Sequence, residues 1–364
     1  MTSGATRRLR VRRELIGVEP YGAPQIDVPV RLDVNENPYP PSVAVASDMA
    51  AAVREAALSL HRYPDREATA LRTDLADYVG HGLNAERIWA ANGSNEVMMQ
   101  LLQAFGGPER SVLTFTPSYS MYPQYARDTH TRYVEVSRES DFTIDPDVAV
   151  RTIARERPAV IVVASPNNPT GTALSLELLR RLCDVAPGVV VVDEAYAEFR
   201  RAGTPSALSL LDDYPQLAVS RTMSKAFALA GGRLGYLASS IELVDSLRVV
   251  RLPYHLSTVT QAVARVALAH KDAMLARVDE LRDERDATAE WLRRQGLDVA
   301  ESDANFVLFG MFADRRQVWQ GLVDRGVLIR ETGPDGWLRV SIGTSHEMME
   351  FKRALTMVLE KETG

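Results

Sequence analysis

The sequence has few of the features that define several common protein classes. It contains one cysteine in 364 residues, which excludes a disulfide framework and is typical of a reducing compartment, so we expect a cytoplasmic protein. The longest apolar runs, such as Ala159–Ala164 and Val189–Val192, are too short to cross a bilayer. The chain has no Gly-Lys dipeptide and no G-x-S-x-G motif, which excludes a P-loop and a nucleophile elbow.

Charge excess and metal-ligand patterns are also lacking. Lys and Arg number 42 against 48 Asp and Glu, a net charge of -6, so no basic field points to a nucleic-acid partner. The six histidines are scattered and none forms a pair at metal-ligand spacing, so we expect no metal site. Five arginines lie between Arg7 and Arg13 without an apolar stretch after them. We therefore expect a solvated tail rather than a secretory signal.

The composition is that of an ordinary globular protein. Hydrophobic residues make up 46% of the chain and charged residues 25%, which is enough apolar material for a sizeable core. A length of 364 residues predicts about two domains. Composition therefore favours an enzyme without indicating which one.

The middle of the chain alternates apolar strands with helices. Uniformly apolar runs at Ala159–Ala164, Val189–Asp193 and Leu217–Ser220 are typical of strands that are covered on both faces. A helical segment, Leu174–Val185, separates the first two. This alternation predicts an α/β fold with a mostly parallel, doubly wound sheet that binds its ligand at the carboxyl ends of the strands.

The C-terminal third predicts a smaller α+β unit. A long charged helix is expected over Lys271–Gln295, followed by strands at Asn305–Phe309 and Val327–Arg330. The turn Gly333–Gly336 predicts a hairpin into a strand at Trp337–Ile342. We expect three regions: an N-terminal arm over 1–45 that packs on the small domain or on a partner subunit, a large cofactor-binding domain over 46–250, and a small domain over 251–364.

Polar side chains follow three consecutive predicted strands. The first strand leads into a turn that presents Asn168, the second ends at Asp193 with Tyr196 just beyond it, and the third leads to Lys225. A lysine just past a strand end, among small and hydroxyl residues, indicates an amine held in a cleft. Because the carboxyl ends of parallel strands lie at one edge of the sheet, we expect these four side chains to share a site.

The segment Asn92–Glu96 precedes an apolar helical run, Val97–Phe105. Free backbone N–H groups at such a helix start bind anions. An amine, a carboxylate, a phenol, an amide and an anion site together suit pyridoxal phosphate. The amine would bind it covalently and the carboxylate would keep its ring nitrogen protonated. Phenol and amide would donate to the ring 3′-oxygen, while hydroxyls and an arginine would hold the phosphate.

The sequence also resembles a known family, the fold-type-I aminotransferases of class II, and among them the histidinol-phosphate aminotransferases. The resemblance implies a large and a small domain, a homodimer with shared active sites, and transamination of L-histidinol phosphate with 2-oxoglutarate. The motifs that carry it follow in order over nearly the whole chain: Asn35–Pro38, Arg62–Asp65, Asn92–Glu96, Pro117–Tyr122, Ser165–Gly171, Asp193–Tyr196, Ser224–Phe227, Gly231–Gly235, Asn305–Phe306 and Leu338–Arg339.

By this resemblance each site residue receives a role. Lys225 is the Schiff-base lysine, and Asp193 pairs with the ring nitrogen. Tyr119 stacks on the ring, and Tyr63 reaches into the partner's site, whereas Tyr122 is expected in the core. The residues expected to contact the 3′-oxygen are Asn168 and Tyr196, and those expected to hold the phosphate are Ser94, Asn95, Thr222, Ser224 and Arg233.

Two arginines allow an inference that does not depend on the family. If the hairpin turn centres between Pro334 and Asp335, Arg330 and Arg339 lie opposite each other and repel. An anion between them converts this repulsion into two charge-assisted contacts. We therefore expect a pocket for a dianion such as a substrate phosphate, although two separately solvated arginines would fit the same pattern. The resemblance adds Tyr21 to this pocket and places the carboxylate of glutamate on Arg339.

Other functions remain open at this stage. An aromatic aminotransferase acting on phenylalanine would share most motifs, and so would an amino-acid-phosphate decarboxylase on the same scaffold. A non-enzymatic regulator would need a DNA-binding region ahead of the fold, and 20 residues precede Tyr21. His255 departs from the family's pattern, which indicates either a variant dimer contact or a changed substrate.

Overall fold

The computed structural model describes residues 10–362, so Arg7 and Arg8 of the N-terminal arginine cluster lie outside the described residues. The strands are β1 Val30–Leu32, β2 Ile88–Ala91, β3 Ser111–Thr116, β4 Arg132–Ser137, β5 Val160–Ala164, β6 Val189–Asp193, β7 Leu217–Thr222, β8 Gly235–Ala238, β9 Asp298–Val299, β10 Phe306–Gly310, β11 Val327–Ile329 and β12 Trp337–Ser341. The α-helices are α1 Val43–Ala57, α2 Thr69–Val79, α3 Ser94–Phe105, α4 Tyr122–Asp128, α5 Pro146–Glu156, α6 Leu176–Val185, α7 Ile241–Val250, α8 Thr258–Ala269, α9 Lys271–Leu275, α10 Val278–Arg294, α11 Arg315–Val323 and α12 Ser345–Glu362. Short 3-10 helices lie at Arg13–Leu15, Ala85–Arg87, Ala197–Phe199 and Ala207–Leu210.

A seven-stranded sheet forms the centre of the larger domain, in the order β2-β8-β7-β6-β5-β3-β4. Strand β8 is antiparallel to both neighbours, and the other pairs are parallel. This confirms the mostly parallel sheet. The three strands predicted from uniform apolar runs, β5, β6 and β7, lie side by side, so their carboxyl ends form one edge.

Helices cover both faces of this sheet, which explains why its central strands are uniformly apolar. In β6, Val190 and Val192 pack in a core with α1, α2, α5, α6 and α8. The alternate residues Val189 and Val191 pack in a second core with α3, α4 and α7. Because successive side chains point to opposite faces, both positions must be apolar when both faces are covered.

The smaller domain has its own core. It contains the antiparallel sheet β12-β10-β9, helices α10, α11 and α12, and the parallel pair β1-β11. Val30 and Leu32 of β1 are buried in this core. The N-terminal arm therefore packs on the small domain of its own chain, which is one of the two expected placements.

The change from one packed core to the other occurs after residue 250, where a domain boundary is expected. The buried residues of α8 and Met274 of α9 belong to the core of the large sheet, whereas Val278 of α10 and the residues after it belong to the small domain. The same change of core divides the expected helix over Lys271–Gln295 into α9 and α10. The core joined by α8 and the break between α9 and α10 have the same explanation. A helical pattern in the sequence does not show which core the apolar face of the helix joins.

The expected C-terminal hairpin is also different. Strand β11 pairs in parallel with β1, and β12 pairs antiparallel with β10. The two predicted partners, β11 and β12, meet in a single bridge, Arg330 opposite Arg339. The opposition of the two arginines is therefore confirmed, but the ladder around them is not formed.

Within residues 10–362, no helix is both long enough and apolar enough to span a membrane. In the same range, no cluster of three or more His, Cys, Asp or Glu side chains could hold a metal ion.

Candidate active site

A cavity of about 270 Å³ opens at the carboxyl edge of β5, β6 and β7 and is closed on its other side by the arm and the small domain. It brings together all the predicted site residues except Tyr63. The predicted residues that line it are Tyr21, Ser94, Asn95, Tyr119, Asn168, Asp193, Tyr196, Thr222, Ser224, Lys225, Arg233, Arg330 and Arg339.

Lys225 provides the amine of the cavity. It follows β7 at a distance of three residues, and its Nζ donates a hydrogen bond to the carbonyl oxygen of Val34 at 2.9 Å. Burial and, to a smaller extent, the positive charge of Arg339 lower the pKa of the Lys225 amine to about 8. The unprotonated fraction of this amine near neutral pH is therefore larger than that of an ordinary lysine, which favours a nucleophile or a general base.

Asp193 provides a buried carboxylate at the end of β6. Burial raises its pKa to about 6, although hydrogen bonds from the Tyr122 hydroxyl and the Ala195 backbone oppose this effect. The Tyr122 hydroxyl donates to Oδ2 at 2.9 Å, and the Ala195 N–H donates to Oδ1 at 3.3 Å. The ring of Tyr122 lies in the core as expected, but its hydroxyl orients the carboxylate, a role that the sequence did not predict.

Tyr196 and the side-chain amides of Asn35 and Asn168 form a hydrogen-bonded group in the cavity. The Nδ2 group of Asn35 donates to Tyr196 Oη at 3.0 Å, and that of Asn168 does so at 3.5 Å. Burial raises the pKa of Tyr196, while Arg339 and the hydrogen bond from Asn35 act against this increase. The phenol is therefore protonated at physiological pH and is available as a donor.

The start of α3 forms the expected anion site. The helix begins at Ser94 after Gly93, whose φ is 83°, and no side-chain cap comes from the described residues. A β-carbon on Gly93 would lie 2.6 Å from Nη2 of Arg233, and one on Gly235 would lie 2.2 Å from the Ser94 nitrogen. Because these two glycines lack a side chain, the free backbone N–H groups at the start of α3 and the Arg233 guanidinium lie close together and can bind one anion.

Two hydroxyl side chains complete this anion site. Thr222 Oγ1 donates to Ser224 Oγ at 3.0 Å and accepts from the Ser224 N–H at 3.1 Å. Both residues are buried and line the cavity. The arrangement of N–H groups, hydroxyls and one guanidinium suits a phosphate.

Arg330 and Arg339 form a second cationic group at the other end of the cavity. Their backbones exchange two hydrogen bonds, of 2.9 and 3.0 Å. Arg339 donates to Asn168 Oδ1 and to the Asp33 carbonyl oxygen, both at 2.6 Å. Burial lowers the pKa of Arg339 to about 10, and the charge of Arg330 contributes to this decrease.

Both guanidinium groups retain unused hydrogen-bond donors. Nη1 of Arg330 and Nε of Arg339 are buried without a partner among residues 10–362. The N-terminal arm contacts this pair of arginines, since Arg330 Nη2 donates to the Gly22 carbonyl oxygen at 3.3 Å. The hydroxyl of the neighbouring Tyr21 accepts a hydrogen bond from Ser120 Oγ at 3.2 Å. Buried donors without partners indicate an anionic ligand.

Two residues singled out in the sequence lie outside the cavity. Tyr63 is 79% exposed and stacks on Tyr254, with ring centroids 4.5 Å apart. His255 stacks on Trp89, and its Nε2 lies 2.9 Å from the Ala90 carbonyl oxygen. His255 therefore packs against β2 of its own chain.

Sequence reasoning assigned no role to several residues that line the cavity. Asn35 is fully buried and contacts Tyr196. Asp33 is also buried, and neither carboxylate oxygen has a hydrogen-bond partner in the described chain. The signal that could have found Asn35 is the Asn35–Pro38 motif, which carries part of the resemblance. The remaining lining residues without a predicted role are Ala23, Val34, Ser118, Ser120, Tyr122, Ala164, Pro166, Ala195 and Thr332.

The donor set fits pyridoxal phosphate. A lysine amine, a buried carboxylate, a phenol with an amide beside it, and a phosphate-binding helix start surround one cavity. Arg330 and Arg339 line the same cavity and add two guanidinium groups that suit the acidic group of a substrate.

Comparisons with known proteins agree with this chemistry. The profile of the family "Aminotransferase class I and II" matches residues 28–356. The chain is similar to histidinol-phosphate aminotransferase of Thermobifida fusca (strain YX), at 60% identity over 347 residues, which is 95% of each chain. It is also similar to histidinol-phosphate aminotransferase 3 of Burkholderia lata, at 56% identity over 358 residues and 97% of each chain.

A solved structure shows the same fold. The crystal structure of histidinol-phosphate aminotransferase from Sinorhizobium meliloti in complex with pyridoxal-5'-phosphate superimposes with a TM-score of 0.87, and it covers 98% of this chain and 99% of that one at 24% identity. This likeness confirms the fold-type-I architecture, while the family follows from the profile and the relatives. The chain belongs to the class I and II aminotransferases, and within them to the histidinol-phosphate aminotransferase family.

Proposed function

We propose that this protein transfers the amino group of L-histidinol phosphate to 2-oxoglutarate, giving imidazole acetol phosphate and L-glutamate, a step of histidine biosynthesis. The observation that carries the proposal is the opposed pair Arg330 and Arg339, both of which line the cavity. Two guanidinium groups match a phosphate dianion better than a single carboxylate. The names of the similar relatives support the same substrate.

The cofactor is pyridoxal phosphate, as in the family. We propose that Lys225 binds it covalently, that Asp193 pairs with its ring nitrogen, and that Tyr119 packs on its ring. Asn168 and Tyr196 would donate to its 3′-oxygen. The residues proposed to hold its phosphate are Ser94, Asn95, Thr222, Ser224 and Arg233.

Bound pyridoxal phosphate supplies an electron sink for the electron pair left when the substrate loses its α-proton. The residues of the chain supply binding and proton transfer. The incoming substrate amine would replace Lys225 Nζ on the cofactor. The freed amine, whose pKa is lowered to about 8, would then take that proton and later return one, acting as both general base and general acid. Asp193, held by Tyr122, keeps a negative charge beside the ring nitrogen.

The acidic groups of both substrates would bind at the second cationic group. We propose that Arg330, Arg339 and Tyr21 hold the phosphate of histidinol phosphate, and that Arg339 holds a carboxylate of glutamate in the other half-reaction. Arg339 suits both tasks because Asn168 and the Asp33 carbonyl fix its guanidinium in place.

We further propose a homodimer in which Tyr63 serves the partner's active site. Tyr63 does not line its own cavity. The two segments joined by its stacking on Tyr254 carry several exposed apolar side chains, a feature that favours an interface. These exposed side chains are Leu58, Leu60, Val249 and Leu252. The cytoplasm is the proposed location, since the single cysteine, Cys183, is buried and free.

The alternative activities considered from the sequence, on an aromatic amino acid or an amino-acid phosphate, are not favoured, because relatives at 52–60% identity are named histidinol-phosphate aminotransferases. The proposal is tested with holoenzyme, 2-oxoglutarate and either histidinol phosphate or unphosphorylated histidinol. We expect kcat/KM to fall by about 100-fold or more without the phosphate, since at least two charge-assisted contacts are lost. Equal kcat/KM values for the two amines would contradict the proposal.

A further inference from the structure

Asn35 lies where the N-terminal arm, the sheet domain and the small domain meet. It is 1% exposed, and its φ of 56° is a left-handed conformation that asparagine tolerates better than most residues. Its N–H donates to Ser341 Oγ at 2.9 Å, and its carbonyl accepts from Asn305 Nδ2 at 3.1 Å. The backbone of Asn35 is therefore held from the small domain.

Ser341 determines which end of the Asn35 amide faces Tyr196. A backbone N–H can only donate, so Ser341 Oγ accepts the bond from Asn35 and keeps its own proton to donate. It donates that proton to Asn35 Oδ1 at 2.8 Å. The Nδ2 group therefore faces Tyr196 and donates to Oη at 3.0 Å. The opposite orientation would leave the Ser341 proton without this acceptor.

A second amide is oriented by the same logic. Arg339 can only donate, and its Nη1 donates to Asn168 Oδ1 at 2.6 Å. The Nδ2 group of Asn168 consequently faces Tyr196 Oη, at 3.5 Å. In the described part of the chain, the two hydrogen-bond partners of Oη are thus both amide donors. The phenol proton has to be donated elsewhere, and Tyr196 lines the cavity.

We propose that Asn35 is a positioning residue that directs the phenol proton of Tyr196 toward the ring 3′-oxygen of the bound cofactor. The inference rests on the proposed role of Tyr196 and deepens it. Asn35 does not contact the reacting atoms, and it acts through the lone pairs of Oη. Because Ser341 and Asn305 hold Asn35, the direction of this proton also depends on the small domain being docked.

The test is a pH titration of the absorbance of the bound cofactor in holoenzyme. A donor at the 3′-oxygen stabilises its anionic form and lowers the titration pKa. Tyr196→Phe should raise this pKa by about one to two pH units, as expected for loss of a charge-assisted hydrogen bond. Asn35→Gly keeps the left-handed backbone without strain and removes the amide. It should raise the pKa by about half a unit to one unit.

The double variant distinguishes a positioning role from a merely structural one. If Asn35 acts through the phenol, Asn35→Gly combined with Tyr196→Phe should shift the pKa no further than Tyr196→Phe alone. Asn37→Ala is the matched control, because Asn37 anchors the same segment to the Ala226 carbonyl at 3.0 Å without contacting Tyr196. It should leave the titration unchanged.

A second substitution covers the case in which Asn35→Gly does not fold. Asn35→Asp places an acceptor opposite Oη, draws the phenol proton away from the cavity, and should shift the pKa in the same direction as Tyr196→Phe. The inference is overturned if Asn35 variants behave like Asn37→Ala, or if the two shifts add. If Tyr196→Phe itself leaves the titration unchanged, the proposed role of Tyr196 is what fails.

Discussion

At the scale of single residues, the buried charges of the cavity destabilise the protein until a ligand binds. Burial raises the pKa of Asp193 and lowers that of Lys225, so in each case the charged form is disfavoured in the folded state. Arg330 and Arg339 lie opposite each other with unused donors. The charges of the cofactor and substrate compensate those of the cavity. The empty site therefore lowers the stability of the protein, and the same charges favour ligands of complementary charge.

Asp193→Asn should stabilise the cofactor-free protein at pH 7.5. The pKa of Asp193 is raised from 3.8 to about 6, so the folded state binds the extra proton between these values. Stability is therefore lost as pH rises through this window, by of order 3 kcal/mol at most, and the loss is complete above it. Calorimetry without cofactor should show a higher Tm for the variant at pH 7.5 and almost no difference near pH 4. A lower Tm at pH 7.5, or a gap that does not depend on pH, would contradict this.

Arg330→Ala should affect the phosphorylated substrate more than glutamate. Arg339 is held by Asn168 and the Asp33 carbonyl and remains available for a carboxylate. Loss of the second guanidinium removes a charge-assisted contact and should raise KM for histidinol phosphate by about 10- to 100-fold. Arg316→Ala is the control, since Arg316 is exposed and paired with Glu331 at 2.7 Å. Equal increases in KM for both substrates would argue against a phosphate-specific role.

At the scale of elements, the ends of β5, β6, β7 and the start of α3 position the chemistry. Three adjacent parallel strands bring their carboxyl ends to one edge, and α3 points its free N–H groups at the same cavity. Rigid elements therefore hold the lysine, the carboxylate and the proposed phosphate site. The arm and the small domain contribute the groups that are proposed to bind the substrate.

Gly93→Ala tests the phosphate site at the start of α3. The added β-carbon would lie 2.6 Å from Arg233 Nη2, and φ is +83°. We expect pyridoxal phosphate to bind at least about 10-fold more weakly, whereas pyridoxal without phosphate loses less, because one charge-assisted contact is displaced. Gly80→Ala is the control, since φ is +73° there and nothing lies within 4 Å. Comparable losses in Gly80→Ala, or equal losses for both cofactor forms, would show that backbone strain rather than the displaced arginine is responsible.

The elements that sequence predicted best are those whose pattern depends on burial alone. The segments that form β5, β6 and β7 are apolar because helices cover both faces of the sheet. Burial of both faces requires apolar residues at every position, so it can be predicted from the residue types. The position of α8 and the break between α9 and α10 were not predictable in this way. An apolar stripe shows that a helix is packed, but not which of two cores it joins.

The candidate site also contains residues that the sequence predicts and residues whose contacts only the structure shows. Lys225, Asp193 and Asn168 could be predicted as site residues because each lies at a strand end or just after one, where topology already predicts ligands. Asn35 lies in an irregular segment without periodicity, so the motif that contains it marks its position, whereas its contacts with Tyr196 and Ser341 are seen only in the structure. Tyr122 occupies a core position by its spacing, and its hydroxyl reaches Asp193 only because α4 packs against the sheet.

At the scale of the whole molecule, the proposed homodimer makes each active site depend on two chains. Tyr63 is exposed and stacked on Tyr254, away from the cavity of its own chain. The arm, in contrast, packs on its own small domain through β1 and β11. The two domains therefore do not function independently. The cavity combines residues of the arm and of both domains, and we propose that the partner subunit contributes to it as well.

Hybrid dimers test the sharing of sites. We expect Lys225→Ala and Tyr63→Ala homodimers each to be impaired. A hybrid with one subunit of each kind should regain one native site, because the subunit with Lys225 receives Tyr63 from its partner. Activity can be measured after purifying hybrids that carry two different affinity tags. A hybrid no more active than the Tyr63→Ala homodimer would mean that Tyr63 acts in its own subunit or not at all.

The central claim is that the site of this aminotransferase is built for a phosphorylated amine. The most direct measurement is turnover by the holoenzyme of histidinol phosphate and of phenylalanine, at matched concentration, with 2-oxoglutarate as acceptor. The account predicts rapid formation of glutamate from histidinol phosphate and at least about 100-fold slower formation from phenylalanine, which brings no dianion to Arg330 and Arg339. Turnover of phenylalanine without turnover of histidinol phosphate would contradict the account.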